Sequence, residues 1–297
     1  MQGNTILAYI KEQFKTGGMI KKIVLANTIV FALILLLKVV SKLFLVDGFF
    51  EMILEQLIMP GDIGGLLHKP WTIFTALFTH TGLGHFFFNI LIFYFSSKLF
   101  IQFFGGKRLL STYLLGGVFA GLIHILSYSI FPFFANQEPA SIYGASGAIY
   151  AILGALIFHQ PKLKIKLFFA LEIPLWVLGV ILFFSDFISL AEADGTAHFA
   201  HLGGGLFGVL SVINVGSSSN FMNKIDQFFS KKISFKKEPK MKVYRSSEAR
   251  KMTDDQYNSN KANKQKQMDA ILDKISANGY ESLSKKEKDF LFKFGND

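Results

Sequence analysis

The chain has 297 residues, of which 51% are hydrophobic and 15% aromatic, while only 18% carry a charge. A soluble domain of this size would contain more charged residues, so the composition indicates a membrane protein. The formal net charge of +10 arises mainly after residue 216, which points to a basic cytoplasmic flank and not to a nucleic-acid partner.

Apolar segments close to the ~20 residues needed to cross a bilayer recur along the chain. We predict an all-α fold: a polytopic bundle of six transmembrane helices over 23–216. The predicted spans are approximately 23–46, 85–103, 109–131, 146–158, 167–185 and 197–215. Residues 1–22 include Lys11, Glu12 and Lys15 and lack a long apolar run, so we predict a cytoplasmic segment and not a cleavable signal peptide.

The charges of the connections between spans predict their orientation. The connections after the second and fourth spans carry Lys107, Arg108, Lys162, Lys164 and Lys166. The connections 47–84, 132–145 and 186–196 are acidic, with Lys69 as their single basic residue. Because basic loops remain on the cytoplasmic side, we predict that both termini are cytoplasmic and that 47–84 faces outward. The composition suits a bacterial inner membrane.

The C-terminal region predicts two further segments. Residues 217–265 are rich in Ser, Lys and Asn and predict a flexible basic linker. Residues 266–297 regain a helical period, with a turn at 277–279, and predict a small cytoplasmic helical hairpin. Ser284 and Glu287 have the spacing of a capping box at the start of its second helix.

Polar residues stand out inside the predicted spans, where a central charge costs about 2.5–3.5 kcal/mol. They are His85 with Asn89, Gly144 with Ser146 and Tyr150, and His198 with His201. Taken alone, a serine beside small residues is usually a packing site, and a His–Asn pair is often an interhelical hydrogen bond. The two histidines of the last span lack a carboxylate or third ligand nearby, and the chain has no cysteine, so we predict no metal site and no cofactor.

Together these segments resemble the rhomboid family of intramembrane serine proteases. The family's three motifs are matched in order and spacing by His80-x4-His85-x3-Asn89, by Gly144-Ala145-Ser146-Gly147 with Tyr150 beyond it, and by Ala200-His201-x2-Gly204-x3-Gly208. The resemblance covers about 70–215. The GxSG segment alone would be weak, but the three segments together are highly specific.

The resemblance implies that Ser146 is the nucleophile and His201 its general base. A serine hydroxyl needs such a base, and histidine suits neutral pH. We find no acidic third member at a suitable place in the sequence and therefore predict a Ser–His dyad. His198, one turn from His201, is predicted to lie nearer the outer surface in a supporting position.

Other site residues follow from the same resemblance. His85, Asn89 and the backbone N–H of Ser146 correspond to the oxyanion hole. Tyr150 matches the residue that packs on the catalytic imidazole, and Gly144 shapes the loop before the nucleophile. Two positions depart from the family: Thr72 stands where an Arg is usual in the first outer loop, and Ile101 where a Glu is usual.

The expected reaction is peptide-bond hydrolysis through an acyl-enzyme, on transmembrane segments of other membrane proteins within the lipid bilayer. The main alternative is an inactive rhomboid-like protein that binds client helices without cutting them. A transporter would predict charges or broken helices at mid-bilayer, for which Glu172 and Pro174 in the fifth span give slight support. The sequence does not indicate an oligomeric state.

Overall fold

The computed structural model describes residues 18–167, 171–192, 197–232 and 254–294. The chain divides into two compact units, 1–233 and 234–297. Most of the N-terminal segment predicted over 1–22 lies outside the described residues.

The first unit is built mainly from apolar helices. They are α1 (Met19–Leu43), the short helices α2 (Phe49–Leu54), α3 (Ile63–His68) and α4 (Thr72–Thr75), then α5 (Leu83–Ile130), α6 (Ser146–His159), α7 (Leu175–Ile188), α8 (His198–Val212) and α9 (Phe221–Lys232). By length and composition, α1 and α5 are able to cross a membrane, whereas α6, α7 and α8 are shorter apolar helices. The count of six spans therefore stays a prediction.

Helix α5 contains both the second and the third predicted spans. It runs for 48 residues, with non-helical backbone at Gly105 (φ 77°, ψ 168°). Glycine adopts this positive φ without the steric cost that a Cβ atom would add. The predicted loop between the two spans is thus reduced to a kink at Gly105.

The fifth predicted span begins later than the sequence suggested. Lys164–Leu167 (β1) pairs antiparallel with Leu171–Pro174 (β2), with Lys166 opposite Glu172, and α7 starts only after Pro174. The proline fixes its own φ and has no N–H to donate, so it ends the strand and precedes the helix. The all-α prediction is corrected by this two-stranded sheet, and Glu172 and Pro174 do not lie in a broken membrane helix.

The predicted flexible linker over 217–265 is partly helical. Helix α9 packs against the other helices of the first unit, and its Met222 side chain is fully buried. Arg108, buried in α5 three residues after Gly105, forms an ion pair with Asp226 (Nε to Oδ2, 3.2 Å) and donates hydrogen bonds to Asn220 and Asn223. The prediction was wrong for 221–232 because a local reading of polar composition cannot detect these partners more than a hundred residues away.

Helix α6 lies at the centre of the first unit, enclosed by α5 and α8. Nine of its residues, from Gly147 to Leu156, are buried. Glycines bring α6 and α8 into backbone contact: a Cβ atom on Gly154 would meet the carbonyl oxygen of Gly205 at 2.3 Å, and one on Gly208 that of Ala151 at 2.1 Å. No larger residue fits there without moving a helix, so the last-span glycines fix the distance between these two helices.

The second unit contains α10 (Asp254–Asn278) and α11 (Lys285–Phe294). Helix α10 begins twelve residues before the predicted hairpin and ends before Gly279, whose φ is 74°. The capping box forms: the backbone N–H of Ser284 donates to Glu287 (2.7 Å), and that of Glu287 to the Ser284 hydroxyl (3.4 Å). The Ser284 bonds and the Lys274 ammonium lower the pKa of Glu287 to about 2. Lys274 and Glu287 thereby link the two helices.

Candidate active site

The loop before α6 holds Ser146 at the first residue of that helix. Ile142 pairs with Met59 in a β-bridge, and the N–H of Gly144 donates to the carbonyl oxygen of Ala76 (2.8 Å). Gly144 has φ +112°, and a Cβ atom there would meet the His85 ring at 2.7 Å. Only glycine satisfies both conditions, so its place in the motif follows from backbone conformation and from contact with the imidazole.

Ser146 and His201 lie within hydrogen-bond distance, 55 residues apart in sequence. The Nε2 atom of His201 is 2.9 Å from Oγ of Ser146. The Tyr150 ring, one turn further along α6, stacks on the His201 imidazole with centroids 4.4 Å apart and planes 8° from parallel. A Cβ atom on Gly204 would meet the carbonyl oxygen of Gly147 at 2.1 Å, so the helix approach that brings the histidine to the serine needs this glycine.

An acidic residue that the sequence interpretation missed stands behind His201. Oδ1 of Asp186 is 2.9 Å from Nδ1 of His201. Asp186 lies in the last turn of α7 and is 5% exposed, whereas the sequence predicts that it belongs to an outer connection. The prediction that the pair has no acidic partner was therefore wrong. The available signal was one carboxylate among the apolar residues of 183–190, where an unpaired charge would be costly.

We assign the tautomer of His201 from these contacts. An ionised carboxylate can only accept hydrogen bonds, so Nδ1 of His201 carries the proton that it donates to Asp186. In the neutral ring Nε2 then has a lone pair, directed at the Ser146 hydroxyl. This is the form that a general base requires.

His198 contacts the same carboxylate. Its Nδ1 atom is 2.7 Å from Oδ1 of Asp186, and its ring lies edge-on to that of His201. The three side chains together offer two nitrogens and one oxygen, all within 4.8 Å of one another. The two histidines therefore have a carboxylate beside them, contrary to the sequence prediction that none lies nearby.

The two predicted oxyanion-hole residues line the same cavity as Ser146. This cavity has a volume of about 440 Å³, and its lining includes His85, Asn89, Ser146, Tyr150 and His201. The Asn89 amide donates one hydrogen bond to the carbonyl oxygen of His85 (2.8 Å), which leaves its second N–H available. The third histidine of the motifs, His80, accepts from the N–H of Ala145 (3.3 Å) and so supports the loop.

The two departures from the family pattern lie away from these side chains. Thr72 is fully buried, and its hydroxyl donates to the carbonyl oxygen of Lys69 (2.5 Å). Ile101 lies in α5 and is 37% exposed. Neither residue lines the cavity.

Comparison with known proteins decides the family. A model of the Rhomboid domain matches residues 67–218, slightly more than half of the chain. The chain belongs to the rhomboid family. It is a membrane protein by that membership. A model of a family of unknown function (DUF6576) matches 251–296, which includes all of the helical second unit described at 254–294.

One curated relative, the RHOMBOID-like protein 12, mitochondrial, of Arabidopsis thaliana, is 29% identical over 150 residues. The match covers 47% of this chain and 44% of the relative, so the chain spans less than half of that protein's length. The rhomboid match contains Gly144, Ser146, Tyr150, Asp186 and both histidines of α8.

Proposed function

We propose that this rhomboid is a serine-type endopeptidase that cleaves transmembrane segments of other membrane proteins within the bilayer. The observation that carries the proposal is the 2.9 Å contact between Nε2 of His201 and Oγ of Ser146, in a cavity that His85 and Asn89 also line. The tautomer imposed by Asp186 supports the same role. Asp186 would act as a positioning residue, so the dyad predicted from sequence becomes a Ser–His pair with a carboxylate behind the base.

The proposed reaction has two stages. Nε2 of His201 takes the Ser146 proton while Oγ attacks the substrate carbonyl carbon, and the carbonyl oxygen becomes an oxyanion. Its negative charge would be stabilised by the N–H of Ser146 at the start of α6 and by the side chains of His85 and Asn89. The C–N bond then breaks as His201 returns the proton to the leaving amine. Water, activated by the same base, releases the acyl group from Ser146.

The position of the serine supports a substrate in the bilayer. Ser146 follows a non-helical loop held by Ala76 and Met59, and irregular backbone at membrane depth is tolerated where it lines a watery cavity. Hydrolysis requires water at the site. We place the protein in a bacterial inner membrane, with the cavity facing outward and both termini cytoplasmic.

The test is Ser146→Ala in purified protein. We expect cleavage of a model transmembrane substrate and labelling by a fluorophosphonate probe to disappear. The melting temperature should stay within about 2 °C of wild type, since one hydroxyl contributes little packing. Residual cleavage above a few per cent of wild type would exclude Ser146 as the nucleophile. A wild-type protein that binds client helices but neither cuts nor labels would instead be the inactive, helix-binding rhomboid.

A further inference from the structure

We propose that Asp186, His198 and His201 form a binding site for Zn²⁺, and that an ion bound there switches off His201 as a base. The ligand atoms come from two adjacent helix ends: the last turn of α7 and the first turn of α8. Nδ1 of His198 and Nδ1 of His201 lie 2.7 and 2.9 Å from Oδ1 of Asp186. The two nitrogens thus converge on one carboxylate oxygen, and an ion would take the place of the ring protons that now lie between these atoms.

The dimensions fit a small ion. Zinc bonds to nitrogen and oxygen are about 2.0–2.2 Å long, which places neighbouring ligand atoms of a tetrahedral site about 3.3 Å apart. The observed atoms lie within 4.8 Å of one another, so small side-chain rotations bring them to that spacing. Three protein ligands would leave a fourth position for water.

A second observation concerns the carboxylate. Asp186 is 5% exposed, and its Oδ2 atom makes no hydrogen bond of standard geometry among the described residues, although the Tyr150 hydroxyl also interacts with this carboxylate. A buried carboxylate oxygen without a partner is costly, and a cation beside it removes that cost. Both histidine contacts are made to Oδ1, and a metal bound by the same carboxylate would compensate the charge on Oδ2.

The site also has an entry path. His198 lines a second cavity of about 260 Å³. Glu138 and Glu192, both exposed, line this cavity as well. Two carboxylates at the entrance attract a cation toward His198.

The ligand set selects the metal. Imidazole nitrogens favour Zn²⁺ and its neighbours in the first transition row, whereas Mg²⁺ and Ca²⁺ prefer sites made entirely of oxygen. Competition from thiolates is absent, because the chain has no cysteine. Among the described residues this is the one cluster of three potential ligands.

Occupation would invert the tautomer on which catalysis depends. A metal on Nδ1 of His201 leaves the ring proton on Nε2, which then donates toward Oγ of Ser146 and no longer accepts its proton. Zinc would therefore inhibit the enzyme without touching the serine. This consequence rests on the proposed protease function, whereas the binding itself does not.

The experiment uses untagged, metal-free, full-length protein in detergent, titrated with Zn²⁺ by calorimetry. Wild type and the control variant His68→Ala, which alters an exposed histidine of α3, should bind one ion with similar affinity. His198→Ala and Asp186→Asn should each bind at least about tenfold more weakly, because each loses one of three ligands. Co²⁺ in place of Zn²⁺ should give the absorption of a tetrahedral site in wild type but not in His198→Ala.

The second measurement is the fluorophosphonate labelling rate of Ser146 with and without saturating Zn²⁺. We expect at least about tenfold slowing, since only the metal-free ring can act as base, with recovery after EDTA and no effect of Mg²⁺. Equal Zn²⁺ affinity in wild type and His198→Ala, or binding that leaves labelling unchanged or faster, would overturn the proposal. If the metal-free wild-type protein binds zinc but Ser146 is never labelled by the fluorophosphonate, the metal site is supported and the proposed protease function is refuted.

Discussion

His198 and His201 lie one turn apart at the start of α8, and the Nδ1 atoms of both rings contact Oδ1 of Asp186. Sequence proximity alone therefore does not distinguish the base. The second nitrogen of His201 lies 2.9 Å from Oγ of Ser146, and its ring stacks on Tyr150. His198 lines the second cavity instead. We assign the base to His201 on this difference.

Substituting each histidine separately tests that assignment. His201→Ala removes the proton acceptor and should abolish cleavage and slow fluorophosphonate labelling. His198→Ala leaves the Ser146 contact in place and should cost at most about tenfold in kcat, about 1.4 kcal/mol of activation free energy. Comparable melting temperatures would show that both variants fold. The opposite ranking of the two mutants would make His198 the base.

Asp186 should influence the chemical step more than substrate binding. In Asp186→Asn the amide can turn its N–H₂ toward Nδ1 of His201, which favours the wrong tautomer at Nε2. We expect kcat to fall at least about tenfold with little change in KM, because the carboxylate acts through the histidine. The exposed Glu192→Gln is the matched control and should leave kcat unchanged. A fall confined to KM would contradict the positioning role.

The residue-scale prediction succeeded where chemistry follows a local motif and failed where it depends on packing. The sequence predicted that Ser146, His201, Tyr150, His85 and Asn89 would meet, and the structure brings them around one cavity. Asp186 belongs to no motif, and it reaches the histidines because α7 extends three residues beyond its predicted end. The contact between this carboxylate and the two histidines could not be predicted without that helix end.

At the scale of elements, the errors at Gly105 and at α9 share one cause: polar or glycine-containing sequence predicts a connection, whereas the structure has helix there. Helix α9 follows a Ser-rich turn, and the partners of its Asp226 side chain, Arg108 and Ser111, lie more than a hundred residues away. Arg108 is buried and its Nη1 atom has no partner among the described residues, so its ion pair with Asp226 and its bonds to Asn220 and Asn223 carry its stabilisation. Helix α9 is thus a structural component of the first unit.

Two truncations distinguish the contribution of α9 to stability from that of the second unit. Removal of 234–297 deletes the separate unit and should leave turnover within a few-fold of wild type. Removal of 220–297 also takes the partners of Arg108. Removing the partner of a buried cation usually lowers the free energy of unfolding by about 3–5 kcal/mol. Here we expect a loss of about 2 kcal/mol, because the Asp226 side chain is 24% exposed.

The measurement is the melting temperature in detergent, which should fall by about 4–8 °C for the longer deletion only. Within the full chain, Arg108→Gln should reproduce most of that loss, whereas Lys107→Gln, its exposed neighbour, should not. A complete loss of activity in folded protein lacking 234–297 would mean that the second unit is coupled to the active site.

For the whole molecule, composition and charge predicted a membrane domain followed by a small helical segment, and the rhomboid match confirms the family. The exact spans were less predictable. Hydropathy locates apolar blocks but not the kink at Gly105 or the sheet before α7, both of which depend on backbone conformation. The orientation in the bilayer is a property of the chain and its membrane together, and it stays a prediction.

The absence of cysteine provides a direct test of that orientation, since any introduced thiol is the only one in the chain. Four exposed positions give a matched set: Glu138 and Glu192 in predicted outer connections, Lys162 in a basic connection, and Lys266 in α10. Each is replaced by cysteine in intact cells that are treated with a membrane-impermeant maleimide.

Positions 138 and 192 should react from outside, whereas 162 and 266 should react only after the membrane is permeabilised. The physical reason is that lysine-rich connections remain on the cytoplasmic side during insertion. Because all four residues are exposed on the protein, a difference in labelling reports the side of the membrane and not burial. The reverse labelling pattern would show the opposite orientation in the membrane. The Ser146 cavity would then face the cytoplasm, and substrates would have to be cleaved near the cytoplasmic ends of their transmembrane segments.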